Sequence, residues 1–147
     1  MIDITTRLAR LDSCAVSDAL DKLGLTGVAS GIERLATDRR ISGRVVTVKL
    51  EADDGRPVAS RHLGTTAIES GQPGDVIVIE QRSGREAASW GGNLSRAAQL
   101  RGIAGVIVEG PARDIDEAQP LRKPRERDHG TVEAFGRLVA SGHLRLR

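Results

Sequence analysis

The chain is poor in aromatic residues, with one Trp, one Phe and no Tyr among 147 residues. Its core must therefore be aliphatic, filled by Val, Ile, Leu and Ala. Nucleic acid is not an expected partner, because no aromatic side chains are interleaved with basic ones to stack on bases. The lone cysteine, Cys14, excludes an internal disulfide. It falls in a helical pattern and reads as a small buried residue rather than a nucleophile. No apolar run is long enough for a membrane span, and Met1-Ile2-Asp3-Ile4 carries no signal-peptide pattern. A cytoplasmic protein is the expectation. The three histidines, His62, His129 and His143, are scattered and share no zinc-ligand spacing. His129 and His143 read as solvent-exposed, and His62, in Arg61-His62-Leu63-Gly64, as a weak candidate for a site role.

The length fits one domain, and a domain of this size buries roughly 70% of its extended-chain surface. Net charge is +2 but unevenly spread. Residues 122–147 hold seven Lys or Arg against three acids, so this tail carries +4 and residues 1–121 carry −2. A basic tail can bind RNA or acidic proteins; a solvated end without a partner is the simpler reading. The expected organisation is a body over 1–121 and a basic tail over 122–147, with no repeat and no linker.

Hydrophobic periodicity predicts a helix over Thr5–Leu23, from Leu8, Leu11, Ala15, Ala19 and Leu23, stopped by Gly24. Arg44–Glu51 is β-branched and reads as a strand. Val58–Ser70 predicts a short helix closed by Gly71. Val76-Ile77-Val78-Ile79 and Ile103–Val108 have the continuous apolar character of strands buried on both faces. Ala87–Trp90 could form a short strand. Asn93–Arg101 predicts a helix stopped by Gly102, and Asp114–Leu121 a helical turn or loop. Thr131–Val139 predicts one more helix. Alternating strands and helices give an α/β fold.

Two segments carry candidate chemistry. Gly91-Gly92-Asn93-Leu94 opens a helix; glycines let the backbone approach a ligand, and the first helical amides are unpaired donors in a positive field. A carboxylate or enolate oxygen suits that place. Arg113-Asp114 follows a strand and the Gly110-Pro111 turn. Ligands of open α/β sheets collect at the carboxyl ends of strands. Arg matches a carboxylate with two parallel bonds, and Asp is a hard-oxygen ligand for Mg²⁺ or Mn²⁺. The plainer reading is a local ion pair with Asp as a helix cap. Glu117 stands at i+3 from Asp114, so on a helix the two carboxylates share a face; a metal-facing pair and a solvated acidic face both fit. Asp116 points elsewhere. Ser17-Asp18 reads as structural.

Together these segments resemble the 4-hydroxy-4-methyl-2-oxoglutarate aldolase family, which also contains the regulator of ribonuclease E activity A. The matching blocks are Val16-Ser17-Asp18-Ala19-Leu20-Asp21, Ile41–Val48, Ser70–Val78, Trp90–Leu94, Arg101–Gly110 and Ala112–Glu117. The match runs from about Thr5 to Leu121, with twenty residues between Gly92 and Arg113.

The resemblance implies a swivelling β/β/α fold of the RraA-like type and a homotrimer, sometimes paired into a hexamer. It implies metal-dependent cleavage of a small 4-hydroxy-2-oxo acid to pyruvate, with oxaloacetate decarboxylation as a side activity. Carried over, the amides of Gly91, Gly92, Asn93 and Leu94 would hold the pyruvoyl carboxylate. Arg113 would bind the keto acid and stabilise the enolate. Asp114 would ligate Mg²⁺ or Mn²⁺, and Glu117 would help orient metal-bound water. The alternative is a non-catalytic regulator that binds a ribonuclease.

Two departures from the pattern stand out. Gly92 occupies a position where some aldolase members carry an acid. After Leu121, where the family usually continues with an apolar strand, the chain reads Arg122-Lys123-Pro124-Arg125-Glu126-Arg127-Asp128. A divergent or frame-shifted C-terminus and a natural short variant with its own helical tail both fit that switch, so the C-terminal part is expected to be atypical.

Overall fold

The computed structural model describes residues 3–37, 39–51, 61–81 and 87–118, together with the backbone of 135–138. Five strands form one sheet: β1 (Ile32–Arg34), β2 (Val45–Leu50), β3 (Val76–Gln81), β4 (Gly105–Glu109) and β5 (Phe135–Leu138). Their order across the sheet is β1-β5-β4-β3-β2. Strands β2 to β5 run parallel, and β1 pairs antiparallel to β5.

Parallel strands need crossovers, and helices supply them: α3 (Leu63–Ser70) links β2 to β3, and α4 (Gly92–Arg101) links β3 to β4. Register aligns Val46, Ile77 and Val106 in one row and Val48, Ile79 and Val108 in the next. Ile77, Ile79, Val106 and Val108 are fully buried there, with Ala67 and Ile68 of α3 and Ala98 of α4 in the same cluster. Small alanines and branched aliphatics thus do the packing that aromatic residues do elsewhere. Helix α4 ends at Gly102, which takes the left-handed conformation (φ 79°) that a side chain resists. In the turn from α3 into β3, the buried Asp75 accepts from the Gln72 amide at 2.9 Å.

The N-terminal helix is two helices, α1 (Ile4–Leu8) and α2 (Ser13–Lys22). The break has a local cause: Asp12 accepts from the Ala15 amide at 2.7 Å and starts a new helix. Neither helix has a buried residue. Cys14 is consequently exposed, not buried as expected. With β1 and the partly buried Ile107 of β4, α2 borders a cavity of about 510 Å³ that also takes in Val16 and Ser17.

Several other expectations need correction. The helix expected over Val58–Ser70 starts at Leu63, with His62 as its cap; residues 58–60 lie outside the described residues. Ala87–Trp90 forms no strand; Trp90 alone bridges to Ala112. Strand β1 was not foreseen. In the expected helix Thr131–Val139, Phe135–Leu138 is a strand instead, paired with β4 on one side and β1 on the other; 131–134 and 139 lie outside the described residues. Pairing partners on both edges outweigh a nine-residue helical pattern, which is marginal on its own. Strand β5 also lies beyond residue 121, so four residues of the basic tail belong to the sheet.

Candidate functional site

The connections that leave β3 and β4 meet at the carboxyl ends of these parallel strands, where open α/β sheets hold ligands. They are joined backbone to backbone. Ser89 N–H donates to the Pro111 carbonyl at 3.1 Å, and Arg113 N–H to the Trp90 carbonyl at 3.0 Å. Trp90 is 1% exposed and anchors this junction. Its indole Nε1–H donates to Ser95 Oγ at 3.1 Å, and that hydroxyl donates to the Gly91 carbonyl at 2.9 Å. A buried indole N–H needs a partner, and this one is spent fixing the first turn of α4.

The Arg113-Asp114 pair sits against that turn. Asp114 Oδ2 accepts from the Gly92 amide at 3.1 Å and lies 3.5 Å from Arg113 Nε. The carboxylate therefore meets the positive end of α4. Arg113 is mostly exposed, so the ion pair itself adds little stability. Among the described residues the amides of Asn93 and Leu94 have no acceptor, which leaves two donors of the α4 N-terminus open. Asp114 adopts φ 57°, and no other non-glycine among the described residues has a positive φ. Such strain persists only where surrounding structure fixes it.

The residues Gly91, Gly92, Asn93, Leu94, Arg113 and Asp114 line one cavity of about 200 Å³. Glu117 does not line it. Asp114 precedes α5 (Ile115–Ala118) instead of lying on it, so the two carboxylates do not share a helix face. The Glu117 amide donates to the Asp114 carbonyl at 3.1 Å. Its carboxylate lies against Gly92, in the space that a side chain at 92 would fill. Glycine at 92 is thus what lets Glu117 come in.

The cavity has further lining residues that the sequence did not point to as strongly. His62 and Thr65, from the start of α3, complete the cavity. So does Ser89, whose hydroxyl oxygen is buried without a hydrogen-bond partner. The only hint of these in the sequence was His62, read as a weak site candidate within the helix expected over Val58–Ser70. His129 and His143 lie outside the described residues. Ser17 borders the other cavity, beside α2. Among the described residues no three His, Cys, Asp or Glu side chains cluster to hold a metal ion, and no helix is long and apolar enough to cross a membrane.

Residues 13–133 match the family model "RraA-like: Aldolase/RraA". A "Putative 4-hydroxy-4-methyl-2-oxoglutarate aldolase" of Halalkalibacterium halodurans is 33% identical over 123 residues, covering 84% of this chain and 55% of that protein. Protein DlpA of Legionella pneumophila is 27% identical over 124 residues, 84% of this chain and 20% of its own length. The chain thus spans about half of the first relative and a fifth of the second. Among solved structures, Streptomyces coelicolor RraAS2, described as an unusual member of the RNase ES inhibitor RraA protein family, superposes with a TM-score of 0.65 at 27% identity. That match covers 80% of this chain and 58% of RraAS2. The RNA-processing inhibitor RraA from Thermus has the same fold, with a TM-score of 0.60 at 23% identity over 94% of this chain and 68% of that one.

Proposed function

The chain belongs to the Aldolase/RraA family, and within that family we propose that it is a divalent-metal-dependent lyase cleaving a 4-hydroxy-2-oxo acid to pyruvate. The proposed substrate is of the 4-hydroxy-4-methyl-2-oxoglutarate kind, with oxaloacetate decarboxylation as a second activity. One observation carries the reading: unpaired helix amides and an Arg-Asp pair face a single cavity at the carboxyl edge of the sheet. The name of the Halalkalibacterium relative points the same way.

In this reading the open amides of Asn93 and Leu94 hold the carboxylate beside the 2-oxo group. The Arg113 guanidinium, held near them, stabilises the oxygen that becomes negative as the C3–C4 bond breaks. The 4-hydroxyl gives up its proton, its oxygen becomes a carbonyl, and the enolate takes a proton at C3 to give pyruvate. For Mg²⁺ or Mn²⁺ the donor set is sparse but suitable. Such ions bind through one or two carboxylates, with water and substrate oxygens completing the shell. Asp114 offers Oδ1, because Oδ2 is engaged with Gly92 and Arg113. When bound there, the cation would supply Lewis-acid stabilisation of the same developing charge. Glu117, behind Gly92, would orient water toward it. The proposal extends to assembly as a homotrimer or hexamer, for which the exposed Leu8, Leu11, Val28 and Ile32 offer apolar surface.

A second reading, a non-catalytic regulator that binds a ribonuclease, is favoured by the likeness to RraAS2. The deciding experiment is pyruvate release from 4-hydroxy-4-methyl-2-oxoglutarate and from oxaloacetate, with Mg²⁺ or Mn²⁺, with chelator, and with Asp114→Ala. Metal-dependent release that disappears in the variant supports the lyase. No release from a folded protein rejects it and favours the regulator.

A further inference from the structure

The wall formed by α3 has no role in the chemistry above, yet it lines the same cavity as Arg113 and Asp114. His62 is the N-cap of α3, and its ring nitrogen Nδ1 accepts from the Gly64 amide at 3.2 Å. That bond decides the tautomer. A nitrogen that accepts cannot carry the proton, so in the neutral ring the proton resides on Nε2. Nε2–H then points away from the cap as a donor with no acceptor among the described residues. The cap is tightly built: a side chain at Gly64 would press on His62 at 3.2 Å and on Leu94 at 2.9 Å. The imidazole is therefore held from below by its own helix, and Leu94 links that helix to the start of α4.

We propose that His62 is a specificity-determining residue that donates from Nε2–H to the distal carboxylate of the ligand, so that the cavity selects 2-oxo dicarboxylates over 2-oxo monocarboxylates. The inference rests on the reading that the α4 amides and Arg113 hold the 2-oxo acid end. With that end fixed, a chain of a few carbons carries the far end toward α3. There His62 and Thr65 are the polar residues of α3 and its cap that line the wall. A monocarboxylate such as pyruvate leaves this wall to water. The neighbouring cation Arg61 does not compete for the ligand, because it is paired with Glu69 at 3.0 Å.

The test compares two ligands by titration calorimetry in Mg²⁺ buffer: pyruvate, and 2-oxoglutarate, which lacks the 4-hydroxyl needed for cleavage. The variant is His62→Asn. Asparagine is a good N-cap, and its carbonyl oxygen can replace Nδ1 as acceptor for Gly64, while its amide nitrogen falls at the place of ring carbon Cδ2 and does not reach as far as Nε2. A hydrogen bond to a charged group predicts that 2-oxoglutarate binding weakens by about tenfold or more, while pyruvate binding stays the same. Equal weakening of both ligands, or of neither, overturns the role of His62 and leaves the 2-oxo acid reading standing. Failure of the wild type to bind either ligand overturns both. A second measurement needs no variant: in the wild type, the imidazole ¹⁵N spectrum should show the Nε2–H tautomer and shift with 2-oxoglutarate but not with pyruvate. A predominant Nδ1–H form, or identical shifts with both ligands, also overturns the proposal.

Discussion

Ser95→Ala tests the junction that builds the site. Ser95 is 3% exposed, and its hydroxyl joins two groups. It accepts from Trp90 Nε1 at 3.1 Å and donates to the Gly91 carbonyl at 2.9 Å. The two losses are unequal. The Gly91 carbonyl keeps the Ser95 amide at 3.0 Å and is not orphaned. The indole N–H, on a side chain 1% exposed, has no substitute. A buried donor left unmade costs about 1–3 kcal/mol, and alanine returns about 0.5 kcal/mol in helix propensity. The expected net loss is about 1.5 kcal/mol, or about 3–6 °C in Tm for a chain of this size. Circular dichroism melts and urea titration both read it. A double-mutant cycle isolates the bond: Trp90→Phe should cost about 1 kcal/mol less in the Ser95→Ala background than alone, since the donor is then already unpaired. A Ser95→Ala protein within about 0.5 kcal/mol of wild type, outside the range expected for a buried orphan donor, would refute the argument that this bond holds the turn.

Three further outcomes follow from single positions. Gly102→Ala places a side chain at φ 79° and 3.2 Å from Pro73, so the urea midpoint should fall by the equivalent of about 1 kcal/mol or more. Ile79→Ala opens a hole between Val48 and Val108 in the central rows of the sheet and should cost about 3 kcal/mol in thermal unfolding. Asp114→Asn keeps an acceptor for the Gly92 amide and a residue type that tolerates the left-handed region. Its melting temperature should stay near wild type, while metal-dependent pyruvate release falls by about a hundredfold or more, as when one charge-stabilising group is removed.

The parallel core was legible because its signal is local. Val76–Ile79 and Ile103–Val108 are short β-branched runs bounded by glycine turns, and they became β3 and β4 with boundaries displaced by at most two residues. Helix α4 was legible from its apolar spacing and its glycine stop. Strands β1 and β5 were not, because each depends on the other: Ile32 pairs with Leu138 across more than a hundred residues, and neither segment alternates strongly enough to be read alone. The helix expected over Thr5–Leu23 ran through Asp12, whose side chain caps α2 and divides it from α1. At the site, sequence order brought Gly91–Leu94 and Arg113-Asp114 together because consecutive β-α connections of a parallel sheet end at the same edge. It could not bring in His62 and Thr65, which reach that edge only through the packing of α3 beside α4.

Asp114 bonds to a different helix from the one it precedes. Asp12 caps α2 in the ordinary way, from extended backbone (φ −84°, ψ 166°), with its side chain on its own helix. Asp114 stands just before α5 but takes φ 57° and sends its carboxylate to the amide of Gly92 on a different helix. A plain cap requires no left-handed residue, and that conformation costs about 1–2 kcal/mol. The compensation is a bond between the connection after β4 and the first turn of α4, reinforced by Arg113 N–H on the Trp90 carbonyl. Both strand ends are thereby fixed to each other, with one carboxylate oxygen used for the fixing and the other left open. The left-handed residue is the one that both ties the two connections and lines the cavity, which is the placement the proposed ligand-binding edge relies on.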